Sequence, residues 1–209
     1  MLPLDTVLTF FATALLLALA PGPDIIFVLT QSALYGMRAG VATTLGLISG
    51  LCFHTTIVAV GVAGLLMASP LAFGLLTLVG AAYLLYLAWL SFRAGASMAH
   101  LQESRFLGYG ALYRRGVFMN ITNPKVTLFF LAFLPQFCVP QRGSVALQVM
   151  ELGLLFMLAA FLVFTAVSAL GGRLALWFNS SPRGQMLMHR VAGLVFVVLA
   201  VMLVVSWLA

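Results

Sequence analysis

The sequence predicts an all-α integral membrane protein with six transmembrane helices. Its 209 residues are 64% hydrophobic and only 7% charged, with a mean hydropathy of +1.18. Apolar runs of about 20 residues, the length that a helix needs to cross a bilayer, recur along the chain. These runs are continuously apolar rather than alternating, which favours helices over the strands of a membrane barrel. The composition therefore excludes an ordinary soluble domain.

The six predicted spans differ in length and in proline content. The first is too long for one straight helix and contains Pro21 and Pro23, and the fourth contains Pro124. Proline removes a backbone donor and obstructs the preceding helical turn, so helices 1 and 4 are predicted to be broken at these motifs. The six spans cover residues 4–35, 40–67, 70–92, 115–138, 145–171 and 187–208.

The arginines predict the orientation of the spans. Most of them lie beside the connections that follow the first, third and fifth spans, which are on one side of the membrane. Arg142 alone follows the fourth span and therefore lies on the opposite side. Because cytoplasmic connections carry an excess of Lys and Arg, both termini are predicted to lie outside. The same rule explains the net charge of +6, so no nucleic-acid partner is inferred and the lipid bilayer is the expected environment. The arginines assigned to the cytoplasmic side are Arg38, Arg93, Arg105, Arg114, Arg115, Arg173, Arg183 and Arg190.

A polar stretch at residues 94–113 divides this single transmembrane domain, residues 1–209, into halves of about 1–93 and 114–209. Each half has three spans, so the second half must enter the membrane from the opposite side. If the halves are related, they form a 3+3 inverted repeat joined by a cytoplasmic loop. Aligning Pro23 with Pro124 supports this register.

Both helix breaks carry a charged residue at membrane depth. The first break reads Pro21-Gly22-Pro23-Asp24, and the second contains Asn123-Pro124-Lys125. Pro124 follows Arg115 by nine residues, or roughly 14 Å of helix, which places it near the bilayer midplane. An ionisable residue at this depth is unfavourable by several kcal/mol and indicates function. Paired helix breaks in the two halves of a membrane protein indicate a transporter's binding site, formed here by these two motifs.

Asn123 and Pro124 are also suited to the N-cap and the first position of a new half-helix, and Gly22-Pro23 to the same positions in the first half. Asp24 could cap its own helix, attract a substrate ammonium or carry a coupling proton. Lys125 opposes the dipole of its own helix, so it needs an anion unless it snorkels toward the interface. That anion could be Asp24, a substrate carboxylate, or each in turn during a transport cycle.

Three further polar residues are weaker candidates. Asn120 could line the same cavity or bridge helices. His54 could relay protons or donate structurally to a neighbouring carbonyl, and Glu151 could carry protons or simply lie at the interface. The cysteines, Cys52 and Cys138, are interpreted as apolar filler.

Neither a metal nor a cofactor is predicted. Metal export would require clustered ligands, which Asp24 beside Lys125 does not provide. An enzyme would require a nucleophile with a base, or a metal motif, and no such set converges here. A structural subunit, in which the opposite charges would only join helices, stays open.

Across essentially its whole length the chain resembles the LysE/RhtB family of amino-acid exporters, most closely the homoserine/threonine branch. The resemblance implies a bacterial inner-membrane antiporter, not an enzyme, that exports a small amino acid in exchange for a coupling ion, expected to be H⁺. The sequence leaves a homo-oligomer open. The residues that carry the resemblance are Pro21-Gly22-Pro23-Asp24, Gly36-x-x-x-Gly40, Gly46, Gly50, His54, Gly80-Ala-Ala-Tyr83-Leu-Leu-Tyr86-Leu, Asn120-Ile-Thr-Asn123-Pro124-Lys125 and Phe133-Leu-Pro135-Gln136-Phe137.

Overall fold

The computed structural model describes residues 2–68, 70–95 and 106–208, with side-chain environments for all of these except 62–68, 70, 178 and 179. The described residues form helices joined by short connections. In chain order the helices are α1 (Leu4–Leu19), α2 (Pro23–Tyr35), α3 (Met37–Ala68), α4 (Pro70–Arg93), α5 (Tyr109–Ile121), α6 (Pro124–Leu128), α7 (Val145–Ser180) and α8 (Pro182–Leu208). After α6 the chain continues as a π-helix at Phe129–Phe133 and a 3₁₀ helix at Leu134–Phe137, and a 3₁₀ turn follows at Pro140–Arg142.

Two of the spans are broken where proline predicts a break. Helices α1 and α2 meet at a bend of 59°, and α5 meets the segment Pro124–Phe137 at 49°. Among the described residues, α3, α4, α7 and α8 are each long and apolar enough to cross a membrane unaided. With each bent pair counted as one span, the chain has the six predicted spans. The prediction that helices 1 and 4 are broken is confirmed.

Several predicted boundaries are wrong. The fourth span begins at Tyr109 rather than at residue 115, directly after Gly108, whose φ of +84° marks the turn into the helix. The predicted loop 94–113 therefore ends at residue 108, and its residues 96–105, including Arg105, lie outside the described residues. Likewise, α3 begins at Met37 instead of 40, directly after Gly36 with a φ of +82°.

The fifth and sixth spans are longer than predicted and almost meet. Helix α7 continues past residue 171 to Ser180, and α8 begins at Pro182 instead of 187. The Gly171-Gly172 pair does not end α7, because Gly171 packs closely against Ser32 of α2, where a methyl group would meet the serine hydroxyl. This packing involves Gly171 alone, because Gly172 has open space around it.

The two halves run in opposite directions. Phe10, near the start of the first span, lies 5.1 Å from Phe137 at the end of the fourth, measured between ring centroids. Tyr35, at the end of the first span, lies 5.1 Å from Phe106, just before the fourth. Helix α3 packs against α5 and α7, while α8 packs chiefly against α4. This antiparallel arrangement is that of a 3+3 inverted fold.

The surface and the interior are both apolar, as the membrane environment requires. Large side chains on the surface, such as Val60 at 77% exposure, face the surroundings along the spans. Inside, aromatic rings fill the end of the bundle that holds the start of the first span and the end of the fourth. This aromatic cluster consists of Phe10, Phe129, Phe130, Phe133, Phe137 and Phe156.

Candidate functional site

The carboxylate of Asp24 lies at the centre of a polar cluster between the two helix breaks. The side chain is only 8% exposed. Its Oδ1 accepts a hydrogen bond of 2.9 Å from Asn123 Nδ2, and its Oδ2 accepts one of 3.0 Å from Asn120 Nδ2. Asp24 lies in the first turn of α2 but does not cap that helix, whose N-cap is Gly22. The acid therefore joins the two halves instead of stabilising its own helix end.

Asn123 performs the capping role that the sequence predicts. Its Oδ1 accepts a 3.0 Å hydrogen bond from the backbone N–H of Lys125, and Pro124 occupies the first turn of α6. With its Nδ2 on Asp24, this one amide both begins the second half-helix and binds the acid of the first.

The Lys125 ammonium is bound by backbone oxygens rather than by Asp24. Its Nζ donates to the carbonyl oxygens of Leu17 and Ala20, each at 3.2 Å. These carbonyls belong to the C-terminal end of α1, where the helix dipole favours a cation. Between the described side chains of Lys125 and Asp24 there is no direct ion pair. The lysine thus lies against the dipole of its own helix but is compensated by that of α1.

Gly22 permits this position of the lysine. A Cβ atom at Gly22 would lie 3.3 Å from Lys125 Nζ, closer than most real Cβ contacts. The ammonium also lies 5.8 Å from the centroid of the Phe196 ring, within the range of a cation–π interaction. The absence of a side chain at Gly22 therefore leaves room for Lys125 in the gap between α1 and α2, and α8 lies on another side of the ammonium.

Asn120 is fully buried and connects α5 to two other helices. His54 Nε2 of α3 donates to the Asn120 backbone oxygen at 3.1 Å, because a carbonyl can only accept. A Cβ atom at Gly50 would lie 2.7 Å from the Asn120 Cβ, so the glycine allows α3 this close approach. The Asn120 Oδ1 atom has no hydrogen-bond donor within the described part of the chain. A buried amide oxygen without a donor is costly and indicates a ligand or a water.

The structure brings together most, but not all, of the predicted site residues. Asp24, Asn120, Asn123 and Lys125 form the cluster, and His54 touches it through Asn120. Glu151 is exposed on α7, and its side chain is not in the cluster. The motif residues Pro21, Gly22, Pro23 and Pro124 shape the breaks, with Pro23 and Pro124 themselves exposed.

The sequence prediction missed the backbone ligands of Lys125. The Leu17 and Ala20 carbonyls carry no side-chain signal. Their only trace in the sequence is that α1 must end just before Pro21.

The cluster borders a small cavity of about 20 Å³. This volume is close to that needed for one water molecule. Binding of a larger solute would require the walls to move. Apart from Asp24, Asn120 and Lys125, the walls are apolar and include Leu17, Ala20, Ile25, Leu51, Phe156 and Phe164.

No group of three or more His, Cys, Asp or Glu side chains that could hold a metal ion occurs among residues 2–68, 70–95 and 106–208. The metal-ion alternative therefore has no observation in its favour.

Broken helices that bring a buried acid, a base and amides to the centre of an inverted fold are typical of secondary transporters. The fold and site thus define a helical membrane transporter. The chain belongs to the LysE type translocators, whose family model matches residues 15–206. Members of this family are transporters rather than enzymes.

Individual relatives agree with the family match. The chain is 34% identical over 194 residues to a homoserine/homoserine lactone efflux protein of Salmonella typhimurium, which covers 93% of each chain. It is 32% identical, with the same coverage, to the protein of that name in Salmonella typhi. An uncharacterized membrane protein of Vibrio cholerae is 32% identical over 90% of this chain and 91% of its own length. No solved structure matches the chain.

Proposed function

We propose that the protein exports small neutral amino acids or their derivatives, of the homoserine or threonine kind, from the cytoplasm of a bacterium in exchange for protons. Membership of the translocator family supports transport. The names of the Salmonella relatives support homoserine-like solutes. The chemistry of the central cluster supports an amino acid, because an acid and a base near one another match the two charges of a zwitterion.

The unpartnered Oδ1 of Asn120 is the observation that carries this proposal. It belongs to the same side chain that donates to Asp24, and it lies against Gly50 of α3, while the residues Asn120 and Asp24 both line the small cavity. A substrate ammonium that enters when the cavity walls move would donate to both the amide oxygen and the carboxylate. This arrangement supplies two acceptors to one cationic group, and the stronger of them is charged.

The substrate carboxylate is assigned to the gap between α1 and α2. No side chain caps the N-terminus of α2, whereas Asn123 already caps α6. The first N–H groups of α2 therefore stay available to an anion, which the helix dipole also favours. Lys125 lies beside Gly22 at this same helix start. An anion there would replace the Leu17 and Ala20 carbonyls as the partner of the lysine.

Proton exchange follows from competition for one carboxylate. A proton and a substrate ammonium both neutralise Asp24, so binding of one favours release of the other. Because His54 donates to a backbone oxygen, it is proposed to position Asn120 rather than to carry the proton. Glu151 is assigned no part in the exchange, since it is exposed and apart from the cluster. The arginine-rich ends of the spans are placed in the cytoplasm and both termini outside.

Efflux from a strain that lacks the gene, with and without Lys125→Met, tests the proposal. Wild-type expression should lower the intracellular level of homoserine and threonine, and Lys125→Met should abolish this effect at equal membrane abundance. Arg142→Gln, which removes a base from the opposite end of the same half, is the control and should retain full efflux. Normal efflux by Lys125→Met would show that the cluster is not the binding site.

Coupling is tested in proteoliposomes with an imposed pH difference. Wild-type protein should concentrate homoserine on the acidic side of the membrane without any other energy source. Accumulation that follows a sodium gradient, and is indifferent to pH, would replace the proton with another coupling ion.

A further inference from the structure

A second, much larger cavity lies beside the central cluster. It is a cleft of about 920 Å³ between the break of the first span and helices α7 and α8. The walls are almost entirely aliphatic, and the polar side chains among them are Thr30, Gln185 and His189. Several of the lining side chains are about half exposed, among them Leu16 at 48%, Leu162 at 49% and Val191 at 51%, so the cleft also faces the surroundings of the bundle.

The cleft and the small cavity share a wall. Ala20 and Ile25 line both of them. The Ala20 carbonyl is one of the two oxygens that hold Lys125, and Ile25 follows Asp24 directly in the first turn of α2. A displacement of this turn would therefore open the charged cluster into the cleft and would loosen the lysine at the same time.

The two ends of the bundle are packed differently. The cleft extends along α2 to Thr30, along α7 to Trp177 and along α8 from Gln185, toward the end that carries Arg38, Arg173, Arg183 and Arg190. The opposite end is filled by the aromatic cluster. There Gln136 also donates to Thr77 Oγ1 of α4 at 3.1 Å and accepts from Ser206 Oγ of α8 at 3.1 Å. The cleft thus lies toward the arginine-rich end, next to the cluster.

We infer that this cleft is the vestibule through which solute reaches the cluster from the cytoplasm, and that it favours a neutral amino acid with an apolar side chain. The inference rests on the proposed function. The arginines toward which the cleft extends attract the solute carboxylate, while an aliphatic side chain of the solute buries apolar surface against the aliphatic walls. A hydroxyl in the same position against these walls would lose part of its hydration without gaining a partner.

Filling the cleft tests the route. Ala166 lines the cleft, whereas Ala169, three residues further along α7, is exposed but is not part of the lining. Ala166→Trp should lower efflux at least tenfold, and Ala169→Trp should stay within twofold of wild type at equal abundance. Equal efflux by both tryptophan variants would overturn the vestibule. If the two tryptophan variants gave equal efflux but Lys125→Met still abolished it, the vestibule would be wrong and the proposed function would stand.

Norvaline and homoserine test the preference, because they have the same shape and differ by a terminal methyl in place of a hydroxyl. In proteoliposomes, norvaline should compete with labelled homoserine at a concentration at least threefold lower than unlabelled homoserine needs. Equal competition would overturn the apolar preference.

Occupancy by lipid is the rival explanation for an apolar cleft within a membrane protein. In a Cys52→Ser, Cys138→Ser background, Ala166→Cys should react with a water-soluble maleimide in inside-out vesicles, and norvaline should slow the reaction at least threefold. The Ala169→Cys control should be insensitive to norvaline. Failure of Ala166→Cys to react would show a lipid-filled cleft and overturn the inference.

Discussion

Replacing Asp24 by Asn keeps the size of the side chain and removes its charge. In the wild-type protein two amide groups donate to the carboxylate, at 2.9 and 3.0 Å. Hydrogen bonds to a charged group contribute about 2 kcal/mol each, and neutral ones about 1 kcal/mol. The new amide retains one acceptor, and Asn120 can turn its unpartnered Oδ1 toward the new donor. Two charged bonds thus become two neutral ones, a loss of about 2 kcal/mol, but the cost of burying the charge is removed as well and offsets it, so the free energy of unfolding should change by less than about 2 kcal/mol.

The effect on substrate binding should be larger than the effect on stability, because a substrate ammonium loses its only anionic partner in the cluster. A charge-assisted contact of about 2 kcal/mol between the substrate ammonium and Asp24 corresponds to about 30-fold in affinity, so Asp24→Asn should weaken binding by about that factor. Thermal unfolding in detergent and homoserine counterflow in proteoliposomes measure the two effects separately. Asp5→Asn, the same change at an exposed position in α1, should alter neither. Wild-type affinity in Asp24→Asn would refute the reasoning.

Three other changes have defined outcomes. Gly50→Ala forces a methyl group 2.7 Å from the Asn120 Cβ and should lower transport at least tenfold and the unfolding temperature, whereas Gly61→Ala, with open space around it, should be neutral. His54→Gln, which keeps a donor for the Asn120 oxygen, should transport with the wild-type pH profile while His54→Phe fails; a flattened profile in the glutamine variant would instead indicate a proton relay. The Cys138 side chain is partly buried against the core at the end of the fourth span, so maleimide should label this thiol more slowly than a free cysteine peptide at pH 8, and equally rapid labelling would contradict this packing.

The breaks and the helix caps were predictable because they depend on local chemistry. Proline cannot continue a helix, so Pro23 and Pro124 predict the two bends, and the asparagine before Pro124 predicts its own N-cap. Helix ends that depend on packing were not predictable in this way. The fifth span was predicted to end at residue 171, but Gly171 packs against Ser32 and α7 continues to Ser180.

The partners of Asp24 and Lys125 also depended on packing and were not predictable from local sequence. A cation at a helix start predicts a compensating negative group, and that requirement is met. The sequence suggests an acid or a substrate for this role, whereas the structure uses the Leu17 and Ala20 carbonyls, which no residue pattern encodes. For Asp24 the sequence left open a local cap, a partner for a substrate ammonium and a proton carrier, whereas in the structure amides from the other half of the chain bind the carboxylate.

The sequence by itself determined that this protein crosses a membrane by helices, that two of its spans are broken, and that an acid and a base lie at the breaks. These properties follow from composition, proline chemistry and spacing, which are local. Only the tertiary structure decided that Asn120 keeps an unpartnered oxygen beside Asp24, that Lys125 is bound at the end of α1, and that a large cleft lies beside the cluster. These features depend on which helix ends meet across the inverted halves, and no residue type in the sequence identifies a backbone contact or a cavity.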